Sequence, residues 1–446
     1  MTRDVSSLPT ELLIEIFRIA TDNPVRDIDL LASWSPFEPV HSNESGQTEK
    51  DALRVKSAIG LTSHQFRALV MPFLYEDIWV RHGSHELLLS LWKDTTLRSY
   101  VKRISMTFDD ENKSEEDVKA MVEDARNILS CCPNVRIVQR PRPEIQEEIK
   151  NHDVPPLEGF ELPHLSRVNW YNGPGDDVFI AGPSPKFAWT SGSLRVLIMG
   201  KDDIPQEQNG EDRQETVPLQ QRPQQLDEPL KPFVRLPNLH TLGVRSLSAF
   251  SHSRQSYDDV TFEVPALRCL VLARPEAMFN LIDGPLSHYT NQISVIELYP
   301  DFRFLRHDFV ATLLTRCPNT TDLYIPIFTT RPPYPNEVPR VILEFTSVRC
   351  VHLHAGFPVS GYSYKEQSWW AMVEGHFQGI CGPGSRFTEL KQVELSGLEW
   401  KESLEDNRIL PSLRLALGRG IELYSTDTGI QCMLENLTKS FERGKL

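Results

Sequence analysis

The sequence predicts an α/β protein, with a short helical unit over residues 1–80 and an irregular solenoid of strand/helix repeats over 81–446. Three observations carry this prediction. Apolar residues recur at helical spacing in two N-terminal segments, and an apolar-x-x-apolar-x-apolar pattern returns repeatedly after position 80. Short Pro-containing segments stand just ahead of several of these units.

The first segment reads Leu8-Pro9-Thr10-Glu11-Leu12-Leu13-Ile14-Glu15-Ile16-Phe17. Pro9 suits a first helical turn, where its missing N–H costs nothing, and Glu11 favours the positive end of the helix. Leu12, Leu13, Ile16, Phe17 and Ala20 repeat as one broad apolar face. The second segment, Leu61-Thr62-Ser63-His64-Gln65-Phe66-Arg67-Ala68-Leu69-Val70, offers Ser63 as an N-cap and Phe66, Leu69 and Val70 as apolar contacts. Residues from about 26 to 51, rich in Pro, Ser, Asn and Glu, read as an inserted loop. Closing such a loop costs only on the order of 0.6 kcal/mol per doubling of its length.

These two segments resemble an F-box, over roughly residues 6–80. Where that family usually carries a Cys and then a Trp in the later helix, this chain has Ser63 and Phe66, and the insertion interrupts the usual three-helix unit. The resemblance implies binding to the adaptor subunit of an SCF-type ubiquitin ligase and, through it, to a cullin. The residues implied for that contact are Leu8, Pro9, Leu12, Leu13, Ile16, Phe17, Phe66, Leu69 and Val70.

The repeating pattern falls at Val101/Ile104/Met106, Leu165/Val168/Trp170, Leu194/Leu197/Met199, Leu239/Leu242/Val244, Leu267/Leu270/Leu272, Ile293/Ile296/Leu298, Val348/Val351/Leu353 and Leu390/Val393/Leu395. Thr320/Leu323/Ile325 is a polar-started copy and Val135/Val138 a degenerate one. Cys132-Pro133-Asn134, Leu236-Pro237-Asn238 and Cys317-Pro318-Asn319 precede three of them, with Leu162-Pro163-His164 and Val264-Pro265-Ala266 as looser versions. A Pro there ends a preceding helix and biases its neighbour towards extended backbone. Helical spacing appears between units at Val118, Met121, Val122, Ala125, Ile128 and Leu129, at Leu305, Phe309 and Leu313, and at Trp369, Trp370, Val373 and Phe377. Most units follow one another at 26 to 30 residues, so this region resembles an irregular leucine-rich-repeat domain. The rival, a doubly wound sheet, is disfavoured by the short interval and the lack of a Gly-rich phosphate loop.

The longest gap contains residues 202–232, with seven Gln, five Pro and eight acidic residues, and reads as a disordered loop projecting from the repeats. A net charge of −14 disfavours nonspecific nucleic-acid binding. No apolar run approaches the roughly 20 residues that cross a bilayer, and seven scattered cysteines suggest no disulfide framework. The expectation is a cytoplasmic or nuclear protein without nucleic-acid or membrane partners.

No Walker-type loop, GxGxxG, GxSxG or HExxH motif is present, so the chain reads as a non-enzyme with no cofactor. The Gly-Pro-Gly pieces at Gly173–Gly175 and Gly382–Gly384 read as turns, and Trp369-Trp370 as core. Cys132, Cys269, Cys317 and Cys350 sit beside or within the repeat strands, where packing explains them. His352 and His354 alternate with apolar residues and share a strand face, but with no Cys, Asp or Glu at ligand spacing they read as solvent-facing and no metal is expected.

Residues alternating with the inward apolar positions would line a concave sheet face: Asn169, Tyr171, Arg245, Glu297, Tyr299, Tyr324, His352, His354 and Glu394. Of these, Tyr171, Arg245, Tyr299, Tyr324, His352 and His354 are the candidate contacts for a protein substrate, because aromatic side chains and Arg give large contact area with few rotors to freeze. Together with the resemblance, this yields the expectation of a substrate-recognition subunit of an SCF-type ligase. The alternative is a leucine-rich-repeat scaffold acting outside a ligase, and an enzyme would need a catalytic constellation between repeats.

Overall fold

Each apolar unit of the sequence becomes one strand of a parallel sheet. In the computed structural model the described residues are 8–21, 43–80, 84–106, 115–140, 162–172, 192–201, 233–244, 261–272, 281–299, 302–333, 344–355, 367–397 and 399–444. The expected loop 202–232, Gly173–Gly175 and Arg245 lie outside them.

The strands are β1 (Asp77–Val80), β2 (Arg103–Met106), β3 (Ile137–Arg140), β4 (Arg167–Asn172), β5 (Val196–Lys201), β6 (Phe233–Arg235), β7 (Thr241–Val244), β8 (Thr261–Glu263), β9 (Cys269–Leu272), β10 (Val295–Leu298), β11 (Asp322–Pro326), β12 (Cys350–His354), β13 (Gln392–Ser396) and β14 (Glu422–Tyr424). Twelve form one sheet in chain order, while β6 and β8 pair with each other. Every pairing in the large sheet is parallel, with Ile78, Ile104, Val138, Val168, Leu197, Leu242, Leu270, Ile296, Leu323, Val351, Val393 and Leu423 aligned in one row. Ten of these are the second apolar residue of a sequence unit. Ile78 and Leu423 belong to β1 and β14, two outer strands that the pattern did not reveal. The first residue of each unit lies two positions before its strand, and all ten of those residues, from Val101 to Leu390 and including the polar Thr320, are buried.

Proline acts in a tighter way than the sequence suggested. In Leu162–Leu165, Leu236–Leu239, Val264–Leu267 and Cys317–Thr320 the fourth residue's N–H donates to the first residue's carbonyl at 3.0–3.2 Å, so each Pro occupies the second position of a β-turn. Its fixed φ suits that position. Asn134, Asn238 and Asn319 then donate from their side chains to the carbonyls of Ser99, Gly192 and Asn291, at 2.9, 2.9 and 2.7 Å. The Pro-Asn pair thus turns the chain and ties each unit to the one before it. Gly382–Ser385 is also a turn, with Pro383 second and Gly384 third at φ 84°, a backbone region that glycine enters without strain.

Among the described residues, six helices lie in the first third of the chain: α1 (Thr10–Ala20), α2 (Asn43–Thr62), α3 (His64–Tyr75), α4 (Ser84–Lys93), α5 (Thr95–Tyr100) and α6 (Glu115–Cys131). The later ones include Phe309–Arg316, Gln367–Cys381, Leu410–Gly418 and Thr428–Glu442. Leu88, Leu91, Ile128, Val310, Leu313, Trp369, Phe377, Leu413 and Ile430 from these helices join the inward strand residues in one continuous core. Among the described residues no helix is long and apolar enough to cross a membrane. The architecture is therefore α/β, with helices packed against one face of a twelve-stranded parallel sheet.

Two expectations for the N-terminal unit are corrected. Pro9 is the N-cap of α1, its carbonyl accepting from Leu13 N at 3.1 Å, rather than a first-turn residue. Helix α2 begins at Asn43, inside the segment expected to loop out to residue 51. Local polarity hid this helix, because a face that contacts little core needs few apolar residues.

Candidate functional site

Two places concentrate the residues that the sequence singled out. The first is the N-terminal helical unit. Ser63 caps α3 as expected, its Oγ accepting from Phe66 N at 3.1 Å. Phe17, Val70 and Phe73 form a small core against Ile59, Phe66 and Leu69, with the Phe17 and Phe66 rings edge-to-face at 5.1 Å.

The broad apolar face expected on α1 is thereby split. Leu13 and Phe17 are buried at 0% and 5% exposure, whereas Leu12 and Ile16 are 52% and 47% exposed. Of the nine residues implied for adaptor contact, Leu13, Phe17 and Val70 hold the unit together and present nothing to a partner. Phe66 and Leu69 are half-buried, and Leu8, Pro9, Leu12 and Ile16 are exposed. Ile14 and Ile19 are exposed too, although the sequence reading left them out of that set.

The second place is the sheet face opposite the main core, on β10 to β14. There Glu297, Tyr324, His352, Glu394 and Tyr424 stand side by side in register. His352 stacks on Tyr324 with ring centroids 3.7 Å apart and planes 3° from parallel. Its Nδ1 shares a short hydrogen bond with Glu394 Oε2, which also accepts from the Tyr424 hydroxyl at 3.2 Å. Thr426 Oγ1 donates to Glu394 Oε1 at 3.3 Å.

On its other side, His352 Nε2 lies 3.8 Å from Asp322 Oδ1, beyond hydrogen-bond reach, and has no hydrogen-bond partner. Cys350, two residues before His352, places Sγ 3.5 Å from the Tyr424 hydroxyl. Donor atoms of Asp322, Cys350 and His352 all lie within 4.8 Å of one another. One strand over, Cys269 Sγ lies 3.7 Å from Glu297 Oε1, and Glu297 is fully buried.

Charge is shared within this cluster. Burial acts to lower the His352 pKa, but its contacts with Asp322, Cys350 and Glu394 outweigh burial and raise it to about 11. Burial raises the Glu394 and Asp322 carboxyls, yet His352 and the neighbouring hydroxyls pull both below their ordinary values. Burial, reinforced by surrounding carboxylates, pushes the Tyr324 hydroxyl up, and burial with Glu297 does the same to the Cys269 thiol. Held between these carboxylates, the His352 imidazole is favoured in its protonated form.

The structure corrects the reading of the histidines. His352 and His354 are 6% and 8% exposed, not solvent-facing, and His354 Nδ1 meets Ser396 Oγ at 3.1 Å. The Asp and Glu missing at ligand spacing along the chain are supplied by the strands on either side. Stacking the units on their second apolar residue places Glu297, Tyr324, His352 and Glu394 in one row. That row was the available signal; Asp322 and Cys350, two positions before Tyr324 and His352, fall on the same face.

The other expected face residues stay apart from this cluster. Tyr299 follows β10 and donates its N–H to Leu272 O at 2.8 Å. Tyr171 pairs with Gly200 on β4 and β5, and Asn169 Oδ1 meets Arg167 Nε at 3.3 Å. The same face carries a buried Asp77–Arg103 ion pair at its far end and an apolar stretch of Val196, Ile198, Cys269 and Val271 between. Trp369 is core, as expected, its indole N–H donating to Ser403 Oγ at 3.1 Å. Trp370 is half-buried beneath the Arg408 guanidinium. Compared with known proteins, the chain matches no family model and no curated protein.

Proposed function

We propose that this protein is the substrate-recognition subunit of an SCF-type ubiquitin ligase, an F-box unit followed by a leucine-rich-repeat-like solenoid. One observation carries the reading. Of the ten large hydrophobic residues exposed among the described residues, eight lie in the N-terminal helical unit: Leu8, Leu12, Ile14, Ile16, Ile19, Leu53, Val55 and Leu61. Apolar surface gathered on one small unit favours a protein partner. The Leu8-Pro9-x-Glu11-Leu12-Leu13 opening names the adaptor as that partner by resemblance.

In this reading the chain does no bond chemistry. It holds a substrate protein near the ligase's conjugating enzyme, so that transfer to a substrate lysine becomes effectively intramolecular. In this reading the substrate-facing surface is the sheet face that carries the half-buried Tyr324, whose ring is held rigid by stacking on the buried His352.

The test is co-purification of the full chain with the adaptor. Replacing Leu12 and Ile16 together by Asp puts two charges on the exposed stripe, while Leu13 and Phe17 keep the unit folded. The double variant is expected to lose the adaptor with unchanged circular dichroism. Retention of the adaptor at equal stoichiometry refutes the assignment.

A further inference from the structure

We propose that Asp322, Cys350 and His352 form a binding site for a divalent transition-metal ion of the zinc class. The argument starts from an unmet group: His352 Nε2 is buried with no hydrogen-bond partner, 3.8 Å from an Asp322 carboxylate oxygen, and donor atoms of Asp322, Cys350 and His352 all lie within 4.8 Å of one another. A nitrogen and an oxygen bound to one tetrahedral ion at about 2.0–2.2 Å stand roughly 3.4 Å apart. The observed gap is too long for a direct hydrogen bond and a few tenths of an ångström wider than an ion would hold it.

The donor set fits that class. One imidazole nitrogen, one thiolate and one carboxylate oxygen are the ligand types zinc takes, and soft sulfur disfavours magnesium and calcium. Three protein ligands leave one position open. Asp322, whose side chain is 38% exposed, provides the route in from solvent.

Each ligand also has an outer partner that fixes it. Glu394 holds His352 Nδ1, which leaves Nε2 for the ion, and Thr321 Oγ1 donates to Asp322 Oδ2 at 2.6 Å. The Tyr424 hydroxyl lies beside Cys350 Sγ. A carboxylate behind a ligating histidine orients the ring and raises its basicity. On binding, the ion takes the place of the proton on His352 Nε2 and of the Cys350 thiol proton, and both protons pass to solvent.

The experiment is titration of the purified full chain, stripped with chelator, first with Co²⁺ and then with Zn²⁺. The expected result is one Co²⁺ per chain, with a thiolate-to-cobalt charge-transfer band and tetrahedral d–d absorption, both lost when Zn²⁺ displaces it. Cys350→Ser is expected to abolish the charge-transfer band, and Glu394→Gln to weaken Co²⁺ binding by about 10- to 100-fold. Cys432→Ser, which alters an exposed thiol outside the proposed ligand set, is expected to leave both unchanged.

A band that survives Cys350→Ser, or that vanishes with Cys432→Ser, overturns the assignment, as does the absence of stoichiometric binding in the wild type. Circular dichroism confirms the fold of each variant. If Cys350→Ser does not fold, Asp322→Asn decides, since its partly exposed position tolerates the change: unaltered Co²⁺ affinity in that variant also overturns the site.

Discussion

His376 makes the stability of the C-terminal half dependent on pH. It lies within helix Gln367–Cys381 at 0% exposure, with Nδ1 2.8 Å from Met372 O and Nε2 without a hydrogen-bond partner. Burial drops its pKa to about 4, only partly opposed by the Met372 carbonyl. The folded state therefore keeps the ring neutral, while an unfolded chain takes up a proton below about pH 6.5. With the folded pKa depressed, the contribution is intact above pH 6.5 and is lost as the pH falls towards 4.

A gap of about 2.5 pH units is worth about 3 kcal/mol in full, of which about 2 kcal/mol is lost between pH 7 and pH 5. Urea unfolding at those two pH values, followed by tryptophan fluorescence, measures it, because Trp369 and Trp370 lie on the same helix. Comparing the wild type with His376→Leu cancels the carboxylate titrations common to both. The wild type is expected to lose about 2 kcal/mol more than the variant. Equal losses in the two proteins would show that the ring is not held neutral and would sink the argument.

Three further outcomes follow from packing. Leu13→Ala should destabilise the N-terminal unit by about 3 kcal/mol and Leu12→Ala by less than about 0.5 kcal/mol, measured by thermal melting; similar losses would mean α1 is not seated as described. Gly397→Ala places a methyl 1.9 Å from Ala355 O at φ +108°, so a loss of about 3 kcal/mol or more is expected in the same assay, and an unchanged melting point would contradict the close approach. Removing a Pro-Asn tie with Asn238→Ala or Asn319→Ala should cost about 1 kcal/mol in urea unfolding, and no cost in either would show that the side-chain bonds to Gly192 and Asn291 add nothing.

The repeating units were legible in the sequence because a strand's apolar period and a turn's Pro are local properties. Ten units correspond to ten adjacent strands in chain order, and their second apolar residues fall in one row of the observed register. Ser63 as a cap, the Gly382–Ser385 turn and Trp369 in the core were equally local. β1 and β14 were missed for different reasons: Tyr75/Ile78/Val80 keeps the spacing but falls inside the segment assigned to the N-terminal helical unit, and Gly420 stands where the unit of β14 would carry its first apolar residue.

Only the tertiary structure decided which half of the α1 apolar surface turns inward. Leu12 and Leu13 are chemically identical, and which of them turns inward follows from how α1 seats on α3, where Phe17 packs against Phe66 and Val70 some fifty residues away. The same holds for His352. Its carboxylates come from β11 and β13, the latter 42 residues along the chain, and the short parallel pairing brings them within reach of one ring. Sequence thus determined what each strand offers to its two faces, while lateral packing decided which side chains share a proton, a hydrogen bond or an ion, because burial and charge coupling act through space and not along the chain.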